Sequence, residues 1–194
     1  MLLLTGVGGL TACRTDYADL PTFSAERKLV QVVVEMPAGS NHEQQYNPGT
    51  QQFELPQKPG ANELIEFLPV PGNLGFIPGT QTAPISPQAP ADPIPALVLA
   101  ESQPVGTVLE VIPVALLVLD VNSNLEPVVL AVPARPAQRI LPDATDWVSL
   151  NRHYPGVRQS LSLWFQHRNS AAETRIAGWQ DEKAADQYIR RWLR

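Results

Sequence analysis

Three carboxylates stand at defined points of the local pattern, and carboxylates are the residues from which hard-cation sites are built. Glu35 ends an otherwise apolar run, where its plainest role is to accept hydrogen bonds from backbone N–H groups at the mouth of a barrel. Asp92 precedes Pro93, a pair that commonly starts a turn, and Glu126 lies beside a polar turn where solvation is the simplest setting. The three histidines, His42, His153 and His167, lack the close spacing of a zinc site, and no cysteine joins them. His167 falls at a helix end, where it suits the last carbonyls. No serine stands in a G-x-S-x-G context, and Gly6, Gly8 and Gly9 belong to an apolar leader rather than to a phosphate loop. Arg168, Arg190 and Arg191 read as solvated helix faces.

The elements that must position these residues centre on residues 106–133, GTVLEVIPVALLVLDVNSNLEPVVLAVP. Residues 108–119 read as one long strand and 128–132 as a second, joined by a turn at 120–124 whose Asp, Asn and Ser residues tolerate left-handed backbone. Glu110, Pro113 and Asp120 interrupt the run, so it falls short of the roughly 20 apolar residues of a membrane span. Residues 29–36 form another strand, 44–46 and 52–55 a short hairpin around Asn47-Pro48-Gly49-Thr50, and 64–68 and 96–99 further strands. Many of the 20 prolines fall within 69–104, which predicts a long loop there. Asn73 and Gly75 are expected to shape a tight turn within it.

Helical periodicity appears only late in the chain. Val157, Leu161, Trp164, Phe165 and Arg168 follow i, i+4, i+7, i+8 and i+11 after Pro155, an amphipathic helix. A short strand at 173–177 precedes a last helix at 181–193, with Ala185, Tyr188, Ile189 and Trp192 on one face. The expected fold is α+β and mainly β, a small OB-type closed β-barrel with two flanking C-terminal helices.

A chain of 194 residues, 44% of them hydrophobic, suits one domain with a single core, here 29–194. Its net charge of -5 gives no general attraction for nucleic acid, which excludes that class of partner. The only cysteine, Cys13, rules out an intrachain disulfide. Leu10-Thr11-Ala12-Cys13 follows a short apolar segment and resembles the lipobox of bacterial lipoproteins. Residues 1–13 are then a signal segment, 14–28 a linker or irregular lead-in, and a lipid on Cys13 the only route to the membrane of the cell envelope. The segment is short and no Lys or Arg precedes its apolar stretch, as a start codon set too far downstream would explain. The alternative is a cytoplasmic protein with a disordered tail and an incidental thiol.

The order of Val32-Val33-Val34-Glu35-Met36-Pro37-Ala38-Gly39-Ser40, Pro71-Gly72-Asn73-Leu74-Gly75-Phe76-Ile77-Pro78, Asp92-Pro93, residues 106–133 and Ala177-Gly178-Trp179 resembles the soluble family I inorganic pyrophosphatases. The resemblance runs over about 32–189, and it implies diphosphate hydrolysis with Mg²⁺ on an OB-type barrel. That chemistry requires several Mg²⁺ ions on a carboxylate cluster, cations on the leaving phosphate and a water deprotonated between metals.

The resemblance breaks at the residues that would do this work. Glu35 matches a family acid, but a family lysine and glutamate match Glu43 and Gln45, an arginine matches Gln57, and two pocket tyrosines match Val70 and Leu74. The D-x-D-P-x-D metal loop aligns with 90–95 and keeps only Asp92, with Pro90 and Pro95 at the lost positions. Two aspartates and a lysine across the central turn match Val121, Glu126 and Val128, and a tyrosine-lysine pair matches Arg168 and Asn169. Losing one ligand or donor typically costs roughly 10² to 10³ in rate. The implied state is a pyrophosphatase-like barrel with impaired catalysis that acts as a binding or interaction domain for a protein or small ligand. Glu35, Asp92 and Glu126 could hold one Mg²⁺, because that ion takes one or two carboxylates and fills its shell with water. The alternative is an active Mg²⁺-dependent diphosphatase with a rearranged pocket.

Overall fold

The computed structural model describes residues 15–56, 64–83, 91–169 and 172–194. Strand β1 (Val30–Met36) pairs antiparallel with β4 (Asn73–Ile77) and with the start of β6 (Val108–Val121). Strand β4 pairs with β5 (Ile94–Val98), β5 runs parallel to β7 (Asn124–Pro133), and β7 pairs back onto β6. The order β1-β4-β5-β7-β6, with β6 returning to β1, closes a five-stranded ring of the OB type. Strand β8 (Thr174–Asp181) adds to the far half of β6, and β2 (Gln45–Asn47) with β3 (Gln52–Glu54) makes a separate hairpin.

The length of β6 lets one strand serve three partners. Pro113 has no N–H to give the ladder, and the register with β7 shifts between Pro113 and Ala115. The β6–β7 turn carries Asn122 at φ 49° and Ser123 at φ 68°, the left-handed pair that a two-residue hairpin demands.

Alternation along the strands separates two apolar layers. Val32, Val34, Ala96, Val98, Val129 and Ala131 pack on one side with Ala185 and Ile189 of α3 (Glu182–Arg191). Leu97, Leu117, Leu119, Val128 and Leu130 pack on the other, under Leu150 of α1 (Trp147–His153) and Leu161, Trp164 and Phe165 of α2 (Pro155–His167). Met36 and Trp164 are core, and the other tryptophans are half-buried against these layers.

Three expectations need correction. The proline-rich 69–104 segment carries, besides the strand expected at 96–99 and found as β5, the unexpected strand β4 of the ring. Pro95 sits in β5 opposite Phe76 without halting the strand, because burial of its apolar neighbours outweighs one lost donor. Asn73 and Gly75 lie in strand β4 rather than in a turn. A Cβ at Gly75 would stand 1.8 Å from the Val33 carbonyl oxygen, so the glycine admits the neighbouring backbone. Residues 64–68 give one bridge, Leu64 with His42, in place of a strand. Residues 15–28, expected as a linker or irregular lead-in, are irregular and packed: Thr22 and Ser24 are buried, and Tyr17 and Leu20 cover Val33, Tyr46 and Phe76. The two predicted helices are present as α2 and α3, and the short α1 precedes them, its start fixed by a capping box of Asp146 and Ser149.

Candidate functional site

Four of the positions that the resemblance marks, Val70, Leu74, Val121 and Val128, lie in one apolar cluster with the buried residues of α2. Val70 is 2% exposed and Val128 5% exposed, and Leu74 and Val121 are half-buried against the same cluster, which also holds Leu117, Trp164 and Phe165. The Trp164 indole N–H donates to the Leu68 carbonyl at 2.8 Å and ties the 64–70 loop to α2. His167 lies in the last turn of α2, the helix end expected for it, and its ring meets Phe67 at 5.5 Å.

The charged residues are few and lie on separate elements. Glu35, at the end of β1, accepts a 2.7 Å hydrogen bond from the Tyr46 N–H, the backbone role its place in the strand suggests. Gln45 pairs with Glu54 across the β2–β3 hairpin. The Asp92 carbonyl accepts from both N and Oγ1 of Thr82 at 2.9 Å, which fixes the entry to β5. Glu126 lies opposite Leu119 in the β6–β7 ladder. Cys13, Gln57 and Pro90 lie outside the described residues.

Arg168 is where the expectation of a solvated face fails. Its guanidinium lies 5.5 Å from the ring centroids of both Trp164 and Phe165 and is half-buried. Burial pushes its pKa below the ordinary arginine value, and the charges of Glu43 and Glu126 act in the opposite direction. The helical series already carried this signal, because 168 falls on the same face as 157, 161, 164 and 165. Arg190 and Arg191 are exposed as expected, Arg190 pairing with Asp186 at 2.7 Å.

Among the described residues no group of three or more His, Cys, Asp or Glu side chains is placed to hold a metal ion. Glu35, Asp92 and Glu126 therefore do not make up such a group among the described residues. Two surface depressions lie elsewhere. One of about 450 Å³ runs between residues 18–23 and the C-terminal Arg194, and one of about 70 Å³ lies beside Asp120 and Arg175.

Comparison with known proteins bears on the same arrangement. An inorganic pyrophosphatase of Mesorhizobium japonicum is 28% identical over 169 residues, 82% of this chain and 85% of the relative. One of Thermus thermophilus is 29% identical over 183 residues, covering 88% of this chain and 92% of the relative. The crystal structure of the Thermus thermophilus inorganic pyrophosphatase superposes with a TM-score of 0.74 at 24% identity, over 91% of this chain and 95% of that one. The type I enzyme of Toxoplasma gondii gives 0.77 at 18% identity, over 92% and 85%. These structures establish a shared fold. The model of the family described as Inorganic pyrophosphatase matches residues 32–194, and this chain belongs to that family.

Proposed function

We propose that this chain is a pyrophosphatase-like barrel that no longer hydrolyses diphosphate and serves as a binding or interaction domain for a protein or small ligand. One observation carries the reading. Val70, Leu74, Val121 and Val128, which the resemblance matches to the family's tyrosines, aspartate and lysine, are packed into one apolar cluster with Trp164 and Phe165. A site for a multiply charged anion needs water-facing cations and metal-bound carboxylates, and apolar packing removes both. The test is phosphate release from diphosphate with Mg²⁺, Mn²⁺ and Zn²⁺. Release at the rate of the buffer supports the reading, and metal-dependent turnover lost in Asp92→Asn refutes it.

The second reading, a Mg²⁺-dependent diphosphatase with a rearranged pocket, is favoured by the relatives' names: proteins 28% and 29% identical over most of this chain are inorganic pyrophosphatases. Under it, Glu35, Asp92 and Glu126 would supply the metal carboxylates.

The Leu10-Thr11-Ala12-Cys13 sequence supports a lipid anchor at Cys13 in the bacterial cell envelope. No helix among the described residues is long and apolar enough to cross a membrane. Fractionation of parent and Cys13→Ser protein tests the anchor. Membrane association lost on substitution supports it, and an unchanged distribution refutes it.

A further inference from the structure

Among the described residues the β2–β3 hairpin forms a sheet of its own, and a two-stranded hairpin is marginal in water by itself. Side chains hold it to the ring. Tyr46 of β2 is 6% exposed, stacks on Phe76 at 6.0 Å and meets Phe53 at 5.2 Å, while its N–H donates to Glu35 at the end of β1 at 2.7 Å. Residues 16–22 cross this aromatic layer from outside. The Tyr46 hydroxyl donates to Asp16 Oδ1 at 3.1 Å and accepts from the Tyr17 N–H at 3.2 Å, and Gln51 Nε2 in the hairpin turn donates to Asp16 Oδ2 at 3.3 Å. The Tyr17 ring stands edge-on to Tyr46 at 5.4 Å and lies 5.3 Å from Phe53.

The same segment is fastened to the rest of the fold. Thr22 Oγ1 donates to the Pro78 carbonyl at 2.7 Å, the Thr22 carbonyl accepts from the Gln31 N–H at 2.8 Å, and the Arg194 guanidinium donates to the Ala18 carbonyl at 2.7 Å. Two glycines outside the segment leave room for it. Gly79 and Gly106 have φ +66° and +79°, and a Cβ there would stand 2.7 Å from Thr22 Oγ1 and 2.6 Å from the Tyr17 hydroxyl.

We propose that residues 16–22 are a strap that latches the β2–β3 hairpin over Glu35, and that the hairpin opens as a local unit when the strap is released while the five-stranded ring stays folded. Latched, Tyr46 and Phe53 cover Val33 and Phe76 and the Tyr46 N–H occupies a Glu35 oxygen; open, that bond is broken and the apolar face is uncovered. Asp16 is the catch, because the Tyr46 hydroxyl and the Gln51 amide both end on its carboxylate. A unit held by so few bonds falls at the low-stability end of a fold, where opening is local. The inference goes beyond the proposed function, and turnover of diphosphate leaves it unaffected.

The test is native-state hydrogen exchange of the full chain, read over residues 44–54 and over the central strands at 115–119 and 128–132. Y46F keeps the ring and removes the hydroxyl, and D16N keeps the size and removes the charge. Each is expected to speed exchange over 44–54 by about tenfold and to leave the central strands as in the parent. The two changes cut one bond, so the double variant is expected to exchange more slowly than the product of the single effects. Should Y46F not fold, Q51A releases the same catch from the hairpin side and is expected to act in the same direction. Exchange over 44–54 that matches the parent in these variants, or that rises in step with the central strands, overturns the proposal.

Discussion

Putting the family's lysine back at position 128 is expected to damage the protein rather than to restore a site. Val128 is 5% exposed and packs in the layer beneath α2. Removing a buried valine from that layer loses about 1.5–3 kcal/mol of apolar burial. Placing an ammonium there adds a desolvation cost that Glu126, two residues along the same strand face, offsets only in part, so the total is about 3–5 kcal/mol. For a chain of this length each kcal/mol lowers the melting temperature by about 2–4 °C, which gives a drop of about 10 °C for Val128→Lys. The assay is urea and thermal unfolding followed by circular dichroism, with Leu125→Lys as control. Leu125 is 67% exposed on the same strand, so its lysine variant is expected within about 0.5 kcal/mol of the parent. A Val128→Lys protein as stable as the control, or one that magnesium diphosphate stabilises while the parent is indifferent, would show an open hydrated pocket and refute the reasoning.

Other expectations follow from single features. Gly75→Ala would press a methyl into the Val33 carbonyl, so it should abolish soluble folding, and a normally melting variant would contradict the β1–β4 register. Asn73 is fully buried, accepts from the Ala38 and Gln103 N–H groups and donates to the Glu101 carbonyl at 2.9 Å. Asn73→Leu therefore orphans buried groups and should cost about 2–4 kcal/mol in denaturant unfolding, against no measurable loss if the bonds are absent. Asp146→Ala removes the cap of α1 and should cost about 1 kcal/mol near neutral pH. Hydrogen bonds from Ser149 hold the Asp146 carboxyl below its ordinary pKa, so the carboxylate's contribution is present above the unfolded value of about 3.9 and is lost as pH falls through the folded one. The gap between parent and variant should close in acid, and a gap that persists there would refute the capping assignment.

How far the sequence was legible depended on whether a local rule or a distant contact set each residue's role. The central hairpin, its left-handed turn at Asn122 and Ser123, and both amphipathic helices declare themselves through alternation, turn chemistry and the 3.6 period. Strand β5 shows itself at 96–99, whereas β4 does not, because its glycine and the prolines around it mark loops locally while here Gly75 fits close-packed backbone. Helix α1 is seven residues long, too short for a periodic signal. At the site, the missing family residues were visible one by one in the sequence. Their packing into a continuous apolar layer was not, since Val70, Leu74, Val121 and Val128 meet only through the barrel. Arg168 was misjudged because a charge at a helix end is usually solvated, although its own periodicity placed it over the core.

The most direct measurement is a single-turnover experiment, with purified protein in excess over diphosphate and saturating Mg²⁺, following orthophosphate release. The account predicts a rate that does not change with protein concentration. Mg²⁺-dependent release of two orthophosphates per diphosphate, at a rate that rises with the protein added, would contradict it.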